Sequence, residues 1–288
     1  MRLKKTLDLL VNSYEYFKTL IDLWRYRQGG AKPWSAGYIA FRNQFIENTL
    51  KSRETLQIFA SGRPLPPNFG IRLDERVVEY PWVFSKLNEE GRHILDAGSV
   101  LNFDYILRRP ELADKHLVIY TLSPERVFKN ARISYVYGDL RDSILKSETF
   151  DTIVCISTLE HVGMDNTLLY SNDENYRENS PKDYLKVLKE LRRLLKSNGQ
   201  LLLTVPYGKY ENHGWLQQFD RDLLQSAVDT FEGMAQIHYY KYSLNGWQVS
   251  DQQSCDECAY YNIHATPEIQ SDVAAAARAV ACIQFTKS

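Results

Sequence analysis

Cysteine is scarce in this chain of 288 residues: there are four, at Cys155, Cys255, Cys258 and Cys282. That is too few for a disulfide scaffold at this length, and a reducing cytoplasm is the expected setting. Long apolar runs are missing as well. None approaches the ~18 residues that a membrane span needs. The basic stretch 1–10 lacks the apolar centre of a secretory signal, because Asp8 interrupts it. Net charge is almost absent, at −1. That excludes the strongly basic footprint of a whole-protein nucleic-acid binder, so no nucleic-acid partner is expected. No internal repeat is visible. Cys255 and Cys258 form a lone Cys-x-x-Cys. A structural zinc site wants four ligands, and Cys282 and His264 could complete one only if the fold brings them together, so no metal is expected.

What is present is ordinary globular material, 44% apolar and 25% charged, with enough length for a sizeable core. The charge is unevenly spread. Residues 1–72 hold twelve Lys/Arg against five Asp/Glu, whereas the rest holds twenty-three against thirty-one. In the basic part, Leu7, Leu10, Tyr14, Phe17, Ile21 and Trp24 recur at steps of three and four, the spacing of one helix face, and Gly29-Gly30 ends that helix. A second helix is expected over 38–59. Three prolines and two glycines in residues 61–70 cannot continue it, which places a boundary there. The chain thus divides into an N-terminal helical extension, 1–72, and a main domain, 73–288. The basic helices are either a solvated face packed on the main body or a docking surface for a protein or a membrane surface. The extension is expected to be dispensable for binding a cofactor.

From residue 73 the rhythm becomes strand, helix, strand. Short apolar runs at 93–96, 117–120, 133–137, 152–156 and 201–205 read as buried parallel strands. Ser123-Pro124-Glu125 reads as a helix start. Ser180, Pro181 and Asp183 open another helix, with Leu185, Leu188, Leu191 and Leu195 as its stripe and Lys196 and Gly199 at its end. Residues 235–242 and 279–285 read as two more strands, and the Ala-rich stretch 273–281 as a helix leading into the last. The expected architecture is α/β, a doubly wound Rossmann-like sheet.

In such a sheet ligands bind beyond the carboxyl ends of the strands. Those ends carry Asp96, Gly98 and Ser99, then Thr121 and Leu122, then Asp139 and Leu140, then Ser157, Glu160 and His161. A glycine lets backbone approach a ligand, and a carboxylate accepts from an amino group.

Taken in order, these stretches resemble the class I S-adenosylmethionine-dependent methyltransferases. The segments concerned are 93–102 (HILDAGSVLN), 136–142 (VYGDLRD), 150–163 (FDTIVCISTLEHVG) and 188–208 (LKELRRLLKSNGQLLLTVPYG). The resemblance implies a seven-stranded sheet with the last strand antiparallel and S-adenosylmethionine as cofactor. It implies cofactor contacts from Asp96, Gly98, Ser99, Asn102, Thr121, Leu122, Asp139, Leu140 and Ser157. Val100 and Asn102 stand where the family has glycines, and Thr121 where it has an acid.

Methyl transfer to a hydroxyl needs a base. His161 is the first candidate, with a pKa expected near neutrality, and His213 the second. The polar loop 163–179 is long enough for a lid. Residues 206–220 mix aromatics, amides, His and Glu, a mixture that suits sugars. The expected activity is therefore methylation, on oxygen, of a small molecule or glycan. A non-catalytic binding module on the same fold is the alternative.

Overall fold

The computed structural model describes residues 17–88, 90–170 and 173–288. The apolar runs pair as β1 (His93–Ala97), β2 (His116–Thr121), β3 (Ile133–Tyr137), β4 (Phe150–Ile156) and β5 (Leu195–Pro206). All are parallel, in the order β3-β2-β1-β4-β5. A small hairpin, β6 (Glu211–Asn212) with β7 (Gln217–Gln218), follows. The main sheet continues through β8 (Met234–Ser243), β9 (Gly246–Ser250) and β10 (Ala279–Thr286). β10 inserts between β5 and β8 and runs antiparallel to both. β9 adds an outer antiparallel strand beside β8, so the sheet has eight strands rather than seven. Gly246, at φ +83, opens β9 where a Cβ would meet the Phe69 carbonyl oxygen at 2.3 Å.

Side chains alternate along each strand, so consecutive residues serve opposite faces. Ile94, Val154, Ile156 and Leu202 pack with the N-terminal helices. Those helices are α1 (residues 17–28), α2 (Tyr38–Lys51), α3 (Arg53–Ser61) and α4 (Arg76–Lys86). Leu95, Ile153, Cys155 and Leu203 face the other layer. After the one-turn α5 (Asp104–Leu107), that layer is α6 (Tyr184–Leu194) and α7 (Arg221–Phe231); a short α8 (Gln252–Cys255) follows β9. Among the described residues no helix is long and apolar enough to cross a membrane.

Several local expectations are corrected. Of the first helix's stripe, Leu7, Leu10 and Tyr14 lie outside the described residues. Phe17, Ile21 and Trp24 are exposed, and α1 is held through Leu23 and Tyr26, the latter against Tyr38 and Phe41. The helix expected over 38–59 is two, because Ser52 leaves helical geometry and its hydroxyl caps α3 by accepting from the Thr55 N–H. No helix starts at Ser123. That segment carries no apolar stripe, and Tyr135 and Asn102 hold its backbone at Phe128 and Arg126. α6 starts later and stops earlier than its signals suggest. Its buried stripe is Tyr184, Val187, Leu188, Leu191 and Leu194, and Leu195 already pairs with Phe150 in β5. The run 273–278 is not helical. Its amides and carbonyls bond sideways, Ala277 N–H to Glu75, Tyr261 N–H to the Ala276 oxygen and the Trp34 indole to the Ala275 oxygen. Small side chains let this strip of backbone lie buried between helix and loop.

The proline-rich stretch 61–70 lies against the core, with Leu65 and Phe69 buried. Tyr26, Tyr38, Ile46, Leu50 and Phe59 belong to the same apolar cluster as Tyr240 and Trp247 of the sheet.

Candidate active site

Strand order reverses between β1 and β4, and the chain opens a crevice of about 730 Å³ over their carboxyl ends. The first wall is the loop after β1. Gly98 sits at φ +113, and a Cβ there would lie 2.2 Å from Thr158 Oγ1, so only glycine lets the β1 and β4 loops meet. Ser99 follows at φ +58. Asp96 does not line the crevice. It is fully buried, its Oδ2 accepts the Leu101 N–H at 2.8 Å, and Oδ1 has no partner among the described residues. Burial pushes its carboxyl up to about 8. Asn102 also points elsewhere: its amide donates to Glu125 and the Arg126 carbonyl and accepts from Tyr135.

Thr121 and Leu122 end β2, and Asp139 and Leu140 follow β3; all four line the crevice. Asp139 is engaged by Arg141 (2.6 Å), which also pairs with Glu178 (2.6 Å) and Asp183 (2.9 Å). Its carboxyl is affected first by burial, which raises it. Bonding to Arg141 outweighs that and holds it below the ordinary value. Through Glu178, Arg141 ties down the 163–179 loop, whose Asn166, Leu169, Tyr170 and Tyr176 cover the crevice. Ser157 closes β4 at φ +39 and lines the crevice, but its hydroxyl donates to Glu79 Oε1 at 2.7 Å. Thr204 donates to the same oxygen, so α4 is bolted to the ends of β4 and β5.

That bolt carries Arg76 into the site. Arg76 and His161 line the crevice and also a second cavity of about 340 Å³. The second cavity is walled by Trp34, Trp215, Tyr260 and Tyr261, with Arg42, Asp74, Glu75 and Glu160 among its polar groups. His161 Nδ1 lies 2.9 Å from the Trp215 carbonyl oxygen, which makes Nδ1 the protonated nitrogen and leaves Nε2 free, 3.9 Å from Glu160. Burial lowers its pKa to about 4, so the expectation of a value near neutrality is corrected: this imidazole is neutral. His213 lines neither cavity. It sits in the β6–β7 hairpin beside Glu211 (3.3 Å) and against the Tyr260 ring. The amide nitrogens of the same stretch are occupied, Gln217 donating to the Pro181 oxygen and Gln218 to the Lys209 and Cys258 oxygens, whereas Gln218 Oε1 is buried with no partner among the described residues.

Sequence reasoning missed Arg76, Glu75 and Tyr260. The first two had a signal, since Glu75, Arg76 and Glu79 interrupt an otherwise apolar helix, Val77 to Phe84, that had to be buried. Cys255 and Cys258 are buried free thiols, and among the described residues no group of three or more His, Cys, Asp or Glu could hold a metal.

Residues 97–203 match a family model described as a methyltransferase domain. Over that third of the chain it is similar to methyltransferase domains. No curated protein matches the sequence. Similar solved structures include an S-adenosylmethionine-dependent methyltransferase from Archaeoglobus fulgidus (11% identity, 75% of this chain and 96% of that one, TM-score 0.47). One from Mesorhizobium loti is 13% identical over 73% and 97%, with a TM-score of 0.44. The 1,6-didemethyltoxoflavin-N1-methyltransferase of Burkholderia thailandensis is 12% identical over 96% and 90%, with a TM-score of 0.40. The residues of the methyltransferase crevice fit the cofactor. Gly98 removes a Cβ that would jam the loops together, and the apolar Leu122 and Leu140 line the crevice with Asp139.

Proposed function

We propose that this chain transfers the methyl group of S-adenosylmethionine, bound in the larger crevice, to a small acceptor bound in the second cavity. One observation carries the reading: Arg76 and His161 are walls of both cavities, so the two meet at these side chains. The cofactor supplies an electrophilic methyl carbon on a positively charged sulfur. Gly98 and Ser99 would take its methionine end, Thr121 its ribose, and Leu122, Asp139 and Leu140 its adenine. Ser157 offers backbone rather than hydroxyl. Asp96 and Asn102 act by holding the loops that these residues stand on.

At the acceptor end, His161 keeps Nε2 as an acceptor of protons at the junction, whereas His213 supports Tyr260 from behind. A hydroxyl acceptor, and O-methylation with it, rests on that free nitrogen. A glycan acceptor loses much of its motive, because the amide nitrogens of Gln217 and Gln218 are bonded within the protein and neither residue lines either cavity. Within the expected extension, the described helices from α1 to α3 pack on the sheet. The exposed Phe17, Leu20, Ile21 and Trp24 on α1 support a contact with a membrane surface or another protein through it. Four cysteines without disulfides suit a cytoplasmic setting.

The test is calorimetric titration with S-adenosylhomocysteine. Binding is expected, and Asp139→Ala should weaken it by ~1–3 kcal/mol, the range for losing one polar partner. Arg141 keeps Glu178 and Asp183 in that variant. A folded chain that binds neither S-adenosylhomocysteine nor S-adenosylmethionine would instead be a binding module that has lost the chemistry.

A further inference from the structure

The second cavity has an unbalanced charge. Arg42 is neutralised by Asp74 at 2.7 Å, and Arg76 by Glu79. After these pairings, among the described residues, Glu75 and Glu160 have no Lys or Arg within ion-pair distance, although Arg76 stands near both. Both are buried, with 8% and 2% exposure. Glu75 accepts one backbone N–H, from Ala277, and Glu160 Oε2 has no partner among the described residues. His161, the nearest basic group to Glu160, is neutral and 3.9 Å away. A buried carboxylate without a partner is costly, and a carboxyl in that position waits for a proton or a cation. Trp34, Trp215, Tyr260 and Tyr261 line the same cavity, beside His264 and small or aliphatic side chains, and the faces of such rings attract cations and repel anions.

We propose that the acceptor is an amine, bound as its ammonium form between Glu75, Glu160 and the aromatic wall, and methylated on nitrogen. This deepens the two-cavity reading and rests on it. An ammonium cannot attack a sulfonium, because it has no lone pair and the two share a sign. Glu160 takes one proton and becomes a carboxylic acid, leaving a neutral amine. The nitrogen lone pair then forms the bond to the methyl carbon as the carbon–sulfur bond breaks. The electron pair of that bond stays on sulfur, which becomes a neutral thioether, and the positive charge passes to the methylated nitrogen. Both carboxylates hold the acceptor, and Glu160, next to His161 at the junction, is also the proton acceptor.

The test uses two probes of one size and one ring, 2-phenylethylamine and 2-phenylethanol, titrated by calorimetry at pH 7 into the full chain saturated with S-adenosylhomocysteine. The amine is expected to bind at least about tenfold more tightly than the alcohol. Glu160→Gln should remove that preference and leave S-adenosylhomocysteine affinity unchanged. Glu75→Gln serves the same purpose if the first variant does not fold. Equal binding of amine and alcohol, silence from both, or an amine preference that survives both substitutions overturns the assignment. Failure of S-adenosylhomocysteine itself to bind overturns the methyltransferase reading; its binding without an amine preference overturns the amine alone.

Discussion

Glu160 illustrates how a single residue can be legible in identity and hidden in role. It stands beside His161 in the sequence, and the histidine attracts the functional reading because its free pKa lies near neutrality. Burial reverses the two. The imidazole falls to about 4, and the carboxyl rises, chiefly by burial, to about 8. Glu75 and Asp96 rise to about 8 for the same first reason. Unfolded carboxyls titrate near 4, so between about pH 4 and 8 the native chain holds protons that the unfolded chain has lost, and stability falls as pH rises through that window. His161 works the other way, but its contribution is complete above about 6.5 and lost only as pH falls toward 4. From pH 6.5 to 8 the carboxyls therefore decide the sign. The urea midpoint should be lower at pH 8 than at 6.5. Glu160→Gln, which removes a charge facing Arg76, Glu75 and Glu79, should raise the midpoint at pH 8 and flatten the profile. A midpoint that is flat in the parent chain, or unmoved by this substitution, would mean that water or rearrangement already solvates these groups.

At the scale of elements, strands and the Gly29-Gly30 end of α1 were readable, and the helix starts expected at Ser123 and Ser180 were not. Runs such as Thr152 to Ile156 are apolar throughout because both faces of the sheet are covered, and that pattern survives any packing arrangement. The non-helical fate of 273–278 depends on partners far along the chain, Glu75, Tyr261 and Trp34, which no local propensity contains. The same holds for the site. Thr121, Leu122, Asp139 and Leu140 were found because they end strands, whereas Arg76 arrives on a helix fastened by Glu79 to Ser157 and Thr204. The loop 163–179 gives the element-scale prediction. Its link to the crevice is Arg141, half-buried among Asp139, Glu178 and Asp183. Arg141→Met leaves three carboxylates facing one another. It should cost ~1–2 kcal/mol of stability, between the values for exposed and buried pairs. Hydrogen exchange should rise selectively over 163–179, and S-adenosylhomocysteine should bind more weakly. Uniform protection in that loop with unchanged affinity would show that packing of Leu169, Tyr170 and Tyr176 alone closes it.

The whole molecule poses the question of what the first 72 residues are for. Their basic charge and the prolines after Gly62 read as an appendage joined by a linker, and on that reading a chain beginning at Ile71 keeps its cofactor site. The packing argues for a different outcome. Tyr26, Tyr38, Ile46, Leu50, Phe59, Leu65 and Phe69 are buried in one cluster with Val77, Trp82, Tyr240 and Trp247. The Trp247 backbone N–H bonds to the Phe69 carbonyl, and the Asp74 N–H to the Tyr38 hydroxyl. Burying one large apolar side chain is worth about 1.5–3 kcal/mol, and a domain of this kind is stable by about 5–15 kcal/mol. Seven such side chains withdrawn together exceed that margin, and their loss uncovers apolar surface on the sheet. Arg42 and Trp34 of the second cavity go with them. The chain beginning at Ile71 should therefore be insoluble or lack a cooperative unfolding transition, and S-adenosylhomocysteine should not rescue it. Trp24→Ser, on the exposed face of α1, should leave cofactor affinity and the unfolding midpoint within about 0.5 kcal/mol of the parent. A soluble, cooperatively folding chain from Ile71 that still binds S-adenosylhomocysteine would restore the appendage reading and place the functional reason for these helices outside the core.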